Sequence, residues 1–126
     1  MTPIIPYLLY EDAEAAIAFL TRAFGFTELN RTLSEGGRIM NCELAGPNGG
    51  EAWLGEVDSV GARSLVWVYV EDADAHCARA RAEGAEITME PTDRPFGDRQ
   101  YEARDPQGHT WFFAHPISED SPARRS

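Results

Sequence analysis

Residues 11–18 read Glu-Asp-Ala-Glu-Ala-Ala-Ile-Ala, and residues 71–78 read Glu-Asp-Ala-Asp-Ala-His-Cys-Ala. At an offset of 60, five of these eight positions are identical and the fourth is a Glu/Asp exchange. Each copy follows an apolar, β-prone run, Ile4 to Tyr10 in the first and Ser64 to Val70 in the second. Each leads to a glycine, Gly25 and Gly84, one residue out of step. A period near half the 126-residue length signals duplication of one structural unit.

Both copies carry the same local physics. Asp12 and Asp72 are N-caps, because a short carboxylate accepts the orphan amide hydrogens of a first helical turn. Ala13, Ala16, Ile17, Leu20, Ala23 and Phe24 recur at helical steps and form one apolar stripe. Gly25 and Gly84 supply the left-handed residue that closes a helix. The spacing predicts helices over 12–24 and 72–83. Strands are expected at 26–33, 38–45 and 51–56, and again at 86–90, 99–104 and 110–115, separated by Gly-, Pro-, Asn- and Asp-rich turns. The order is β-α-β-β-β twice: an α+β fold with one module over 4–56 and a second over 64–115. These make a single domain over 1–117, followed by a Ser/Pro/Arg tail, 118–126, expected to be disordered.

Composition narrows the function. The net charge of −10 argues against nucleic acid and anionic membrane, both of which need cationic surface. No apolar run approaches the roughly 18 residues of a membrane span, and no basic segment precedes an apolar N-terminal core. A cytoplasmic location is expected. Cys42 and Cys77 form no C-x-x-C pair and read as small buried thiols in a reducing compartment.

The second half sharpens the reading. "VYVEDADAHCARARAEGAEI", followed by "PFGDRQYEARDPQGHTWFF", resembles the glyoxalase/bleomycin-resistance (vicinal oxygen chelate) superfamily, and the final Asp-Pro-x-Gly-His-x-Trp run is typical of that branch. The resemblance covers residues 4–115 and implies two βαβββ modules with a helix on one face of a curved mixed sheet. Metal-dependent members ligate a divalent ion through four strand residues, usually His, Glu or Gln. Carried over by counting from the local motifs, those positions are Pro6, Trp53 or Leu54, Leu65 and Phe112. None offers a side-chain lone pair for a hard cation, so the resemblance implies the metal-free branch, with no cofactor. His76, His109 and His115 lie far apart along the chain and do not rebuild a site; His109, beside the turn, is expected to serve turn hydrogen bonding. Neither a nucleophile elbow nor a phosphate loop is present, and no catalytic residue is assigned.

Strand alternation then groups Pro6, Leu8 and Tyr10 with Leu65, Trp67, Tyr69 and with Thr110, Phe112, Ala114, and adds Glu51 if Trp53 is the aligned residue. The implied cup binds a ligand through Tyr10, Trp53, Trp67, Tyr69, Arg99, Tyr101 and Phe112. Trp53 and Trp67 read equally well as core, while Trp111 and Phe113 point the other way, under a helix. Arg99 is placed to hold an anionic or carbonyl group, or to pair with Asp98 or Asp105. Two readings follow: a protein that sequesters a small aromatic molecule, as metal-free resistance members do, or a lyase- or isomerase-type enzyme using Tyr10, Glu51, Arg99 and Glu102 as acid–base groups. A ligand-binding domain of other role stays open beside them. Open sheet edges and the resemblance also imply a homodimer with two equivalent sites.

Overall fold

The computed structural model describes residues 4–124. The chain forms two compact units, Met1–Ser64 and Leu65–Ser126. The first contains β1 (Tyr7–Tyr10), α1 (Ala13–Ala23), β2 (Thr27–Leu33), β3 (Ile39–Ala45) and β4 (Glu51–Glu56). The second contains β5 (Leu65–Tyr69), α2 (Ala73–Ala82), β6 (Glu86–Asp93), β7 (Asp98–Arg104) and β8 (Thr110–Pro116), then a short 3-10 turn, Pro122–Arg124. The two sheets have matching orders, β1-β4-β3-β2 and β5-β8-β7-β6. In each, the first strand runs parallel to the last and the remaining pairings are antiparallel. The α+β duplication read from the 60-residue repeat is the fold.

The helix starts are built twice over in the same way. Asp12 Oδ1 accepts the amide of Ala15 at 3.0 Å, and Asp72 Oδ1 accepts that of Ala75 at 3.1 Å. The last strand of each unit satisfies a second orphan donor: Glu56 Oε1 accepts Ala13 N–H at 3.2 Å, and His115 Nδ1 accepts Ala73 N–H at 2.7 Å. An acceptor from the parallel neighbour thus pins helix to sheet, which no local helix signal encodes.

Each helix covers one face of its own sheet. Under α1 lie Leu8, Tyr10, Cys42, Leu44 and Leu54, all buried, against Ile17, Phe19 and Leu20. Under α2 lie Tyr101, Ala103, Trp111 and Phe113, also buried. The second helix brings mainly alanines and Cys77, so aromatic rings from the strands fill the layer: Trp111 and Phe113 stack at 6.1 Å, Phe113 faces His76 at 4.2 Å, and Tyr101 OH lies 2.5 Å from His76 Nδ1. Trp111 and Phe113 are core, as the alternation of β8 requires.

Two boundaries depart from expectation. Strand β6 continues through Pro91 to Asp93. Proline has no N–H to give a ladder, but β6 is the edge strand and its register shifts between Met89 and Thr92, where such a residue is tolerated. The segment after Ile117, expected to be disordered, is held at one point and forms a short 3-10 turn, Pro122–Arg124: Ser121 is 1% exposed, and Ile117 N–H bonds Gly97 O at 2.9 Å. Arg125 and Ser126 lie outside the described residues.

Candidate ligand-binding site

In the second unit the strand pairing sets Trp67 opposite Phe112, Tyr69 opposite Ala114, and Glu102 opposite Phe112 on the side away from α2. Four rings gather there. Trp67 meets Phe112 edge-on at 5.6 Å, Phe96 at 6.0 Å and Tyr69 at 6.1 Å. Trp67, Tyr69, Phe96 and Pro122 line an open cleft of about 340 Å³. Trp67 is 39% exposed and Leu65 beside it 62%.

Polar groups on this face are mostly spoken for. Asp98, fully buried, accepts the Tyr69 hydroxyl at 2.8 Å and the Ser121 hydroxyl at 2.5 Å. Burial and this carboxylate push the Tyr69 phenol above its ordinary range. Glu102 accepts Thr88 Oγ1 at 2.7 Å. Arg94 differs: its guanidinium lies over Phe96 at 5.9 Å, its Nη1 reaches only Met89 Sδ at 3.5 Å, and its buried Nε has no protein partner.

In the first unit the face away from α1 carries Tyr7, Leu9, Glu51 and Trp53. Tyr7 pairs with Trp53, the Trp53 indole donates to Glu51 Oε1 at 2.9 Å, and Tyr7 OH donates to Met40 O at 2.8 Å. Gly55 makes room for the phenol, since a Cβ there would stand 2.6 Å from Tyr7 Oη and 2.8 Å from Met40 O.

Of the expected site residues, Trp67, Tyr69 and Phe112 come together on one open face, and Trp53 lies on the open face of its own sheet. Three lie elsewhere. Tyr10 is 1% exposed beneath α1. The grouping of Pro6, Leu8 and Tyr10 with Leu65, Trp67 and Tyr69 uses an offset of 59, whereas the repeat runs at 60; one residue of slip flips a strand's faces. At 60, Tyr10 matches the buried Val70 and the exposed Tyr7 matches Trp67. Tyr101 is fully buried on the α2 side, where burial pushes its phenol far up. Arg99 also faces α2, bound to Asp74 at 2.8 and 3.0 Å and to Asp93 at 2.8 Å rather than to Asp98 or Asp105. Sequence reading missed Phe96, Arg94 and Pro122. Phe96 and Arg94 sit in a turn that strand alternation does not reach, and Pro122 sits in a segment whose composition reads as tail.

The final motif is structural. Asp105 Oδ1 accepts the amides of Gln107 and His109, both at 3.1 Å, and Oδ2 accepts the Trp111 indole N–H at 3.1 Å. His109, with its backbone in this turn, is 1% exposed.

The residues do not fit a divalent metal. In the first unit the open face of β1/β4 presents Tyr7, Leu9 and Trp53, with Glu51 holding the Trp53 indole N–H and Glu43 the Asn41 amide; in the second, the open face of β5/β8 presents Leu65, Trp67, Tyr69 and Phe112, with Glu102 holding the Thr88 hydroxyl. Among the described residues, no group of three or more His, Cys, Asp and Glu side chains is arranged to hold a metal ion. Nor is any helix among them long and apolar enough to cross a membrane.

The family model described as Glyoxalase/Bleomycin resistance protein/Dioxygenase superfamily matches residues 5–113, and the chain belongs to that superfamily. Among solved structures it is similar to TioX from Micromonospora sp. ML1, at 34% identity over 90% of this chain and 98% of that one, with a TM-score of 0.77. A glyoxalase-related enzyme from Clostridium phytofermentans reaches the same TM-score of 0.77 at 13% identity, over 90% of this chain and 94% of that one, a likeness of fold alone. An uncharacterized protein of Mycobacterium bovis is 30% identical over 90% of this chain and 83% of its own length.

Proposed function

We propose that this protein binds and sequesters a small, flat aromatic molecule without a metal, in the cytoplasm and as a homodimer. The observation that carries the reading is the cluster of Trp67, Tyr69, Phe96 and Phe112 on an open sheet face, with ring separations of 5.6–6.1 Å. Rings at these spacings stack on a planar guest, each good pair adding roughly 1 kcal/mol beyond area burial. Family membership alone does not choose the chemistry, because one scaffold serves many. Binding is favoured over catalysis by the state of the polar groups: Tyr10 is buried, Arg99 is tied to two aspartates, and Glu51 and Glu102 each hold a neighbour. Exposed apolar residues near Trp67, Leu65 above all, support pairing of two copies.

Titrating the protein with a panel of aromatic natural products, and recovering each compound afterwards, tests the reading. Saturable tryptophan quenching by a compound recovered unchanged supports sequestration. Turnover of the compound supports the lyase or isomerase reading instead, and silence across the panel overturns both. Sedimentation at micromolar concentration checks the dimer.

A further inference from the structure

The C-terminal segment is joined to the aromatic cleft by one buried carboxylate. Asp98 opens β7 directly after the turn 94–97, whose ends are tied by Arg94 N–H to Asp98 O at 2.7 Å and Gly97 N–H to Arg94 O at 3.1 Å. Its Oδ2 holds the hydroxyl of Tyr69, a wall of the cleft, and its Oδ1 holds the hydroxyl of Ser121. The residue after Ser121 is Pro122, which is itself a wall of the cleft. The fit is close on the other side too. A Cβ on Gly97, which sits at φ +103°, would stand 2.5 Å from Ser118 Oγ and 2.8 Å from Ser121 N, so only glycine lets the segment lie against this turn. Ser121 Oγ also receives Ala123 N–H at 3.1 Å and Arg124 N–H reaches Ser121 O at 3.0 Å, which coils the segment around the same serine.

We propose that residues 118–124 are a wall of the binding site, with Ser121 and Asp98 as its positioning residues, so that ligand occupancy and docking of this segment stabilise each other. The inference rests on the proposed aromatic-binding reading and adds to it what closes the cleft. A ligand resting on Tyr69 and Pro122 favours the state in which both are fixed by Asp98. By linkage, the docked segment must raise ligand affinity by the factor with which ligand favours docking.

The test uses the full-length protein and acridine as a flat probe, with two readouts: acridine affinity, and the rate of tryptic cleavage after Arg124. Expected are saturable acridine binding, slower cleavage after Arg124 when acridine is bound, and about tenfold weaker binding in Ser121→Ala, which removes the hydroxyl's bonds to Asp98 and to the Ala123 amide. Pro122→Gly should weaken acridine while improving the relative binding of a four-ring analogue. If the wild-type protein binds no acridine, the aromatic-binding reading and this inference fall together. If it binds acridine but Ser121→Ala binds equally well, or cleavage after Arg124 is indifferent to acridine, the reading stands and the wall does not. The protection readout needs no variant, so a folding defect in Ser121→Ala leaves the test decisive.

Discussion

Asp105 accepts the indole N–H of Trp111 at 3.1 Å, and both residues are buried. The same carboxylate closes the turn before β8 through the amides of Gln107 and His109, so one side chain sets the turn and orients the largest ring of the α2 layer. The most recognisable stretch of the sequence is therefore a folding element, on the opposite face from the cleft.

Asp105→Ala should cost about 1–3 kcal/mol for each buried donor it strands. Trp111→Ala should cost roughly 3–5 kcal/mol through the cavity it leaves. Urea unfolding measures both. Residual folded protein should keep its ligand affinity, and a loss of affinity at unchanged stability would assign the motif to the site.

Trp67→Ala should do the reverse. The ring is 39% exposed and contacts Tyr69, Phe96 and Phe112 at the open face. Losing one or two stacking partners, at about 1 kcal/mol each, should weaken an aromatic ligand about tenfold. Calorimetric titration of the variant checks the affinity and thermal unfolding the stability; a protein that unfolds while Trp111→Ala does not would reverse the two faces.

Burial, and then the neighbouring Glu28, push the Cys42 thiol from its ordinary value of 9.0 up to about 12, and burial also raises Cys77. Both should resist a thiol reagent at neutral pH in the native protein and react on unfolding. The folded state holds these protons more tightly than the unfolded one, so this contribution to stability is complete below about pH 9. It is lost as pH rises from there toward 12. Cys42→Ala should flatten the alkaline limb of a stability–pH curve in part, because the Tyr69 and Tyr101 phenols, also raised, keep titrating there. An unchanged limb would count against the burial argument.

A strong chelator should leave both melting temperature and ligand affinity unchanged, because the open faces present rings and hydroxyls rather than clustered metal ligands. Elemental analysis finding one tightly held metal per chain would refute the metal-free reading.

The sequence made much of the fold legible, since Asp12 and Asp72, the closing glycines and the hairpin turns repeat at nearly constant spacing and each acts locally. On β8 alternation also put Trp111 and Phe113 on the helix side, where both are buried. Tyr10 was misplaced because alternation has period 2 and a slip of one residue inverts every side chain it touches. Arg99 and Tyr101 were misplaced because the strand expected at 99–104 was not set in register against its neighbours, and it is that register which turns both side chains toward α2, to Asp74 and His76. The pairing of Ser121 with Asp98 spans 23 residues and joins a polar tail to a turn. Composition predicts disorder there because it does not register a single buried hydrogen bond that holds the segment.

The most direct test of aromatic binding at this face is the nitrogen–proton spectrum of the three indole groups, Trp53, Trp67 and Trp111, recorded while an aromatic ligand is added. The expected result is a saturable shift of the Trp67 resonance with Trp111 unmoved. A ligand that binds while Trp67 stays still, or that moves Trp111 in its place, would contradict the account.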